Sequence, residues 1–169
     1  SGAPIDVADA AWSDVVMDSA IDWEQARAVA HVGAALGALL VGAAVLAVPK
    51  GTTRHRVLGA GYATLLLAVN VAALSLYRED SFSVFHALAL ISLATLAVGL
   101  VPFLLGHRSA RVIVIHAYCM TWSYAGLLAA GFGQLAASNN DRVGGWLVPV
   151  TIAAVLLACA AVIVRRLPP

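Results

Sequence analysis

Four histidines lie within, or at the edge of, long apolar segments of this chain, and they are the side chains whose chemistry stands out. They are His31, His55, His86 and His116. A neutral imidazole ligates a metal ion through either ring nitrogen, and it exchanges a proton near neutral pH. The fifth histidine, His107, stands beside arginine in a short polar stretch. We interpret His107 as a solvated side chain and the other four as candidate ligands.

The densest group of polar and aromatic side chains lies at 116–126, inside an otherwise apolar segment. It combines a histidine, a cysteine, a methionine, two hydroxyl residues, two tyrosines and a tryptophan. Small and polar residues elsewhere in the apolar segments have the same potential to line a pocket. The candidate pocket residues are Gly33, Gly37, Tyr62, Asn70, Tyr118, Met120, Trp122 and Tyr124. Among them, Asn70 is expected to hydrogen-bond across helices, while a Met in an apolar helix is usually a packing residue.

Composition indicates that membrane helices position these residues. The chain has 169 residues, of which 62% are hydrophobic and only 11% are charged, whereas soluble domains carry about 25% charged residues. Its apolar runs reach the roughly 20 residues that a helix needs to cross a bilayer. The sequence therefore predicts an all-α integral membrane protein.

Five apolar segments follow one another along the chain. They cover residues 28–49, 55–77, 84–106, 112–135 and 146–164. The first four contain the histidines, and the fifth has no ionisable group inside the membrane. We therefore expect a core of four helices with a peripheral fifth. This defines a transmembrane domain at 27–169, preceded by a separate segment at 1–26.

The segment 1–26 has the pattern of an amphipathic interfacial helix. Its apolar residues, Trp12 and Trp23 among them, share one side of a helix, and Asp14 and Asp18 lie on the opposite side. Tryptophan is favoured at the membrane interface. We interpret this segment as an orienting helix on the membrane surface, with a lid or partner-docking helix as the alternative.

The distribution of basic residues predicts the topology. Seven basic residues fall on one side of the membrane when the five spans alternate: Lys50, Arg54, Arg56, Arg108, Arg111, Arg165 and Arg166. Only Arg27, Arg78 and Arg142 fall on the other side, together with all nine acidic residues. The positive-inside rule then predicts an outside N-terminus and a cytoplasmic C-terminus.

The four histidines sort into two levels. His31 and His86 lie about 5 Å inside the outer ends of the first and third spans, and His116 lies about 7 Å inside the inner end of the fourth. His55 stands at the inner end of the second span, about 7 Å shallower than His116 on a straight-helix count. Roughly 20 Å separates the two levels.

Diagonal histidine pairs at two levels of a four-helix bundle suit bis-histidine ligation of haem. A flat macrocycle between helices takes one imidazole on each face, and residues such as Gly33 and Gly37 leave room for it. This arrangement, over the first four spans, resembles the transmembrane dihaem b-type cytochromes of the ascorbate-reducing and ferric-reducing kind. The resemblance implies haem b, electron transfer across the membrane, and a quinone or small redox molecule as partner.

A second resemblance runs from His31 to Gln134. The segments that carry it are 55–59 (HRVLG), 85–92 (FHALALIS), 116–120 (HAYCM) and 123–127 (SYAGL). They are similar to an uncharacterised family of small bacterial multi-pass membrane proteins. This resemblance implies a bacterial inner-membrane protein and supports the choice of histidines, but it names no reaction.

Two alternatives to haem stay open. His31 and His86, with a carboxylate such as Glu24, Glu79 or Asp80, would suit Zn²⁺ or copper at the outer face. Alternatively the protein is a scaffold or assembly subunit without chemistry, whose fifth span contacts lipid, a second copy or a partner subunit. The sequence contains no P-loop, Rossmann fingerprint or HExxH motif, and its basic loops are too short for nucleic acid.

Overall fold

Five α-helices form the protein in a computed structural model that describes residues 23–75, 83–138 and 146–166. They are α1 (Trp23–Ala47), α2 (Thr53–Ser75), α3 (Val84–Leu104), α4 (Ala110–Ala137) and α5 (Leu147–Arg166). The described parts of the chain contain no strand. The predicted interfacial helix lies almost wholly outside the described residues, as do Arg78, Glu79, Asp80 and Arg142.

The helices have the lengths and composition that the sequence predicts. Each of α1 to α4 contains 21 or more residues of a candidate membrane span, while the apolar part of α5, Leu147–Ala161, is shorter. Large apolar side chains on the outside of the bundle agree with a membrane environment. Leu40, Leu104 and Leu157 are each more than 70% exposed, as expected of residues that face lipid. The all-α membrane fold with five helices is therefore confirmed.

Contacts between neighbouring helices show that they alternate in direction. A Cβ placed on Gly37 of α1 would touch Leu65 of α2, whereas one placed on Gly42, further along α1, would meet Tyr62, further back along α2. The same reversal relates α2 to α3 and α3 to α4. The loops 48–52 and 105–109 therefore meet at one end of the bundle, which we call the basic end.

The helix ends at the basic end are formed by local hydrogen bonds. Thr52 Oγ1 accepts a bond from the backbone N–H of His55 at 3.2 Å and so caps α2. Ser109 Oγ accepts a bond from Val112 N–H at 3.4 Å and caps α4. Lys50 Nζ donates to backbone carbonyls in the last turn of α1 and just beyond it. These bonds satisfy groups that a helix end leaves without intrahelical partners.

The four-helix core closes through α4, which contacts α1, α3 and α5. The Tyr124 hydroxyl donates to the Leu39 carbonyl of α1 at 3.3 Å. On the opposite side of α4, Ala129 and Ala136 pack against Val148 and Ile152 of α5. Helix α5 packs mainly on α4, and this confirms its predicted peripheral position.

Helix α1 packs closely on the core because Gly42, which has no side chain, faces the rings of Tyr62 and Tyr124. A Cβ at Gly42 would lie 2.6 Å from Cδ2 of Tyr124 and 2.9 Å from Cε2 of Tyr62. Both rings are held by hydrogen bonds through their hydroxyl groups. They cannot retreat without breaking those bonds.

We therefore predict that Gly42→Ala destabilises the protein by about 1–3 kcal/mol, the usual cost of overpacking a core. The measurement is the thermal unfolding midpoint in detergent, followed by the near-ultraviolet circular dichroism of the tyrosines. Gly33→Ala on the same helix is the matched control, because a Cβ there meets nothing within 4 Å. Equal loss of stability in the two variants would contradict the packing described above.

One polar side chain in the middle of the membrane connects α2 to α3. Asn70 is 4% exposed; its Nδ2 donates to Ser92 Oγ at 3.0 Å and to the Leu66 carbonyl at 2.9 Å. The predicted interhelical bond of Asn70 is thus confirmed. This bond joins α2 to α3. The amide of Asn70 therefore serves helix packing, which is a different role from lining a pocket.

Candidate functional site

A hydrogen bond between α2 and α4 sets the relative height of these two helices. The Tyr62 hydroxyl and Ser123 Oγ lie 3.0 Å apart, deep in the core. Ser123 donates its own proton to the Met120 carbonyl at 2.8 Å. Tyr62 is therefore the donor and Ser123 Oγ the acceptor in the bond between the helices.

This bond lies the same number of residues from each of the two inner histidines. His55 precedes Tyr62 by seven residues, and His116 precedes Ser123 by seven. Because α2 and α4 run in the same direction, both histidines lie about 10 Å from the Tyr62–Ser123 bond, toward the basic end. Seven residues complete about two turns, so each histidine also shares the face of the residue that makes the bond.

The height difference of about 7 Å expected from the sequence measured each histidine from the end of its own helix, as if all helices ended in one plane. In the structure α2 begins at Thr53 and α4 at Ala110, so His55 lies about one turn nearer to its helix end than His116 does. The relative height of the two rings stays a prediction.

His116 is held in one orientation by α3. Its Nδ1 lies 2.8 Å from the Gly99 carbonyl, and its ring packs against Phe103 with centroids 4.7 Å apart. A carbonyl only accepts, so Nδ1 carries the proton and a neutral ring keeps its lone pair on Nε2. Histidine ligands of metals are commonly oriented by a bond of this kind.

Gly99 makes this contact possible. A Cβ at Gly99 would lie 2.9 Å from Cβ of Cys119 and 2.8 Å from Cε of Met120. The backbone of α3 therefore approaches α4 closely enough for its carbonyl to reach an imidazole. Met120, a candidate pocket residue, fills this crossing.

His55 faces the same space from α2. Its Nδ1 is buried, and no hydrogen-bond partner is found for it among the described residues. The ring also hydrogen-bonds to the Val45 backbone of α1, and it is close enough to His116 and Lys50 to interact with them electrostatically. Since buried polar atoms are nearly always satisfied, this nitrogen is a position where a ligand or water is expected.

The outer histidine on α1 also faces the bundle. His31 precedes Ala38, which is fully buried, by seven residues and so shares its face. Its Nδ1 is buried and, like that of His55, has no partner among the described residues.

The outer histidines lie near the same end of the bundle. Tyr124 contacts Leu39, and His31 lies eight residues from Leu39 toward the outer end of α1. Gly133 of α4 lies nine residues from Tyr124 in the same direction. A Cβ at Gly133 would lie 3.3 Å from Phe85, the neighbour of His86. The common level of His31 and His86 stays a prediction.

His86, however, has a structural role at the start of α3. Its Nδ1 accepts a bond from the backbone N–H of Ser83 at 3.1 Å and lies 2.8 Å from Ser83 Oγ. The neutral ring then carries its proton on Nε2. Ligation through Nε2 would require loss of that proton or of the cap, so His86 is prepared for ligation less well than His116.

The remaining candidate pocket residues divide between packing and open positions. Tyr62 is 3% exposed, and its ring lies 6.3 Å from that of Tyr124, with which it fills the core between the two histidine levels. Gly37 packs on Leu65, whereas Gly33 faces open space. Tyr118 and Trp122 are half-buried on α4.

The structure identifies two further residues that sequence reasoning did not assign to the site: Phe103 and Ser123. The equal spacing from His55 to Tyr62 and from His116 to Ser123 was a usable signal for Ser123. No sequence signal pointed to the Gly99 carbonyl, because every residue has a backbone carbonyl whatever its type.

A site built of three or more His, Cys, Asp or Glu side chains is not found among the described residues. The carboxylates suggested for an outer zinc or copper site, Glu79 and Asp80, lie outside them, and the side chain of Glu24 is not described. The metal alternative at the outer face thus stays a prediction.

Comparisons with known proteins support the fold and leave the activity open. No curated protein and no solved structure matches the chain. Residues 28–167 match a family described as predicted membrane protein (DUF2306), a domain of unknown function. This match covers all five helices except the first turns of α1. The chain therefore belongs to the DUF2306 family of membrane proteins, as the resemblance to an uncharacterised membrane family led us to expect.

Proposed function

We propose that this protein binds a b-type haem between His55 and His116 and transfers electrons across the membrane. One observation carries the proposal. His116 donates its Nδ1 proton to the Gly99 carbonyl, which leaves the Nε2 lone pair for a ligand, and His55 of α2 lies close enough to interact with it electrostatically. Two imidazoles presented from opposite helices are the ligand set of a bis-histidine haem.

The surroundings support a flat apolar group at this position. Phe103 packs on the His116 ring and would exclude water from one side. A Cβ on Gly59, one turn after His55, would meet nothing within 4 Å. The buried Nδ1 of His55 has no partner among the described residues, and a water or backbone carbonyl could orient that ring once its Nε2 is a ligand. Bound haem would supply one-electron chemistry at this end.

The outer level is the second element of the proposal. His31 and His86 are expected at one height near the outer face, so a second haem there would complete a path between the two faces. We place the inner pair first because the Nδ1 of His86 is occupied by the cap of α3. Zn²⁺ or copper at the outer pair is the alternative, and a scaffold without a cofactor is the second.

The orientation belongs to the same proposal. The basic end carries Lys50 and most of the arginines, so the positive-inside rule puts it in the cytoplasm of a bacterium, with the N-terminus outside. Electrons would then be exchanged with a quinone or a small redox partner at the two membrane faces.

The proposal predicts that protein purified from haem-supplied cells is red, with a Soret band that sharpens on reduction with dithionite. His116→Ala and His55→Ala should each remove the inner haem, and the haem content per chain, measured as the pyridine haemochrome, should fall accordingly. His31→Ala should leave the inner spectrum unchanged. The matched control is His107→Ala, because His107 is an exposed histidine at the same end of the bundle.

A colourless preparation would refute haem binding. Elemental analysis then separates the remaining candidates: zinc or copper that is lost on His31→Ala favours the outer metal site. Absence of both metals favours the scaffold. If the protein is red and its spectrum is unchanged in both His55→Ala and His116→Ala, haem binding stands, but these two histidines are rejected as the haem ligands.

A second prediction concerns the bond that aligns the two inner histidines. A double-mutant cycle of Tyr62→Phe with Ser123→Ala should give a coupling of about 0.6 kcal/mol, the mean for such bonds in membranes. The measurement is the free energy of unfolding in mixed detergent micelles. The control cycle uses Thr121→Val in place of Ser123→Ala, because the Thr121 hydroxyl donates to the Ala117 carbonyl of its own helix. Coupling of zero between Tyr62 and Ser123 would reject their role in setting the height of α4.

A further inference from the structure

The described residues of the basic end carry a concentration of positive charge and no Asp or Glu side chain. Its described basic side chains are all exposed: Lys50, Arg54, Arg56, Arg108 and Arg111. The sequence has no Asp or Glu anywhere in 25–78 or in 81–140. No carboxylate of these segments can therefore neutralise the five cations. The positive-inside rule accounts for the positive charge of this end. It does not account for the side of each helix on which the basic residues lie.

The arginines of α2 and α4 point away from the histidine site. His55 faces α4, and Arg54 and Arg56 are its neighbours, at about 100° to either side around the helix. Arg111 precedes His116 by five residues, which is about 140° around α4. Because both histidines are half-buried whereas Arg54, Arg56 and Arg111 are exposed, these three arginines lie on the outer sides of their helices.

Two of the basic side chains are fixed by neutral groups. Arg56 Nη2 donates to the Gly51 carbonyl at 3.2 Å, and Lys50 Nζ donates to the Val45 and Leu46 carbonyls, each at 2.9 Å. Carbonyls orient a cation but leave its net charge in place. The first turns of α2 and α4 also lack an acidic residue, although the positive ends of the helix dipoles lie there.

We propose that the perimeter of the basic end is a binding surface for anionic phospholipid headgroups, with Arg54, Arg56 and Arg111 as the phosphate ligands. The side chains lie at the ends of membrane-spanning helices, which is the depth of the lipid phosphates. A guanidinium binds phosphate through two parallel hydrogen bonds. Their outward direction favours lipid over a soluble anion, which would approach along the bundle axis. This inference does not depend on haem.

The experiment titrates phosphatidylglycerol, and separately phosphatidylcholine, into the purified full chain in neutral detergent, with binding followed by native mass spectrometry. We expect preference for phosphatidylglycerol, weakening as sodium chloride is raised. The combined variant Arg54→Gln, Arg56→Gln and Arg111→Gln should lose about 100-fold in affinity, since each basic residue near a lipid surface contributes about fivefold. The three single variants, each expected to lose about fivefold, serve if the combined variant fails to fold.

Arg27→Gln is the matched control, because Arg27 is an exposed arginine on α1 near the other end of the bundle, and it should keep the wild-type affinity. Equal binding of the two lipids overturns the proposal, and so does unchanged affinity in the variants. Inorganic phosphate is added at the concentration of the lipid as the third arm. Displacement of phosphatidylglycerol by phosphate alone would identify a soluble anion as the ligand and overturn the lipid assignment.

Discussion

The hydrogen bond between Tyr62 and Ser123 is the constraint on which the arrangement of this bundle depends. It joins α2 and α4, which lie diagonally across the core, and both of its residues are almost completely buried. Water does not compete for these hydroxyl groups inside a membrane, so each must be satisfied within the protein. The direction of the bond is also fixed, because Ser123 uses its own proton on the Met120 carbonyl. His55 and His116 each lie seven residues from this bond on helices that run in the same direction, and they are close enough to interact electrostatically.

Small residues allow the aromatic and backbone groups to act across helices. Gly42 admits the rings of Tyr62 and Tyr124 against α1, and Gly99 admits the backbone of α3 against α4. The second contact has a chemical consequence, because it brings a carbonyl to the Nδ1 of His116. Packing in a membrane has little hydrophobic driving force and depends on such close approach. Helix packing and imidazole orientation therefore have the same cause here.

The two ends of the bundle differ in how they use histidine. At the basic end, a histidine donates to a helix carbonyl and keeps Nε2 available. At the opposite end, the Nδ1 of His86 accepts a backbone N–H and completes the start of α3. The same side chain is thus oriented for ligation in one place and engaged in helix capping in the other. This asymmetry, rather than the number of histidines, is what distinguishes the inner site.

The sequence by itself determined the membrane class, the five helices, the peripheral position of α5 and the depth of each histidine within its own helix. These follow from composition and from the fixed rise per residue of a helix. The tertiary structure alone decided that His55 and His116 come close to each other, that the Gly99 carbonyl selects the free nitrogen of His116, and that His86 caps α3. Depth along one helix is a local property, whereas relative height and proton position depend on hydrogen bonds between helices. Those bonds involve backbone groups and hydroxyl directions that residue types do not specify.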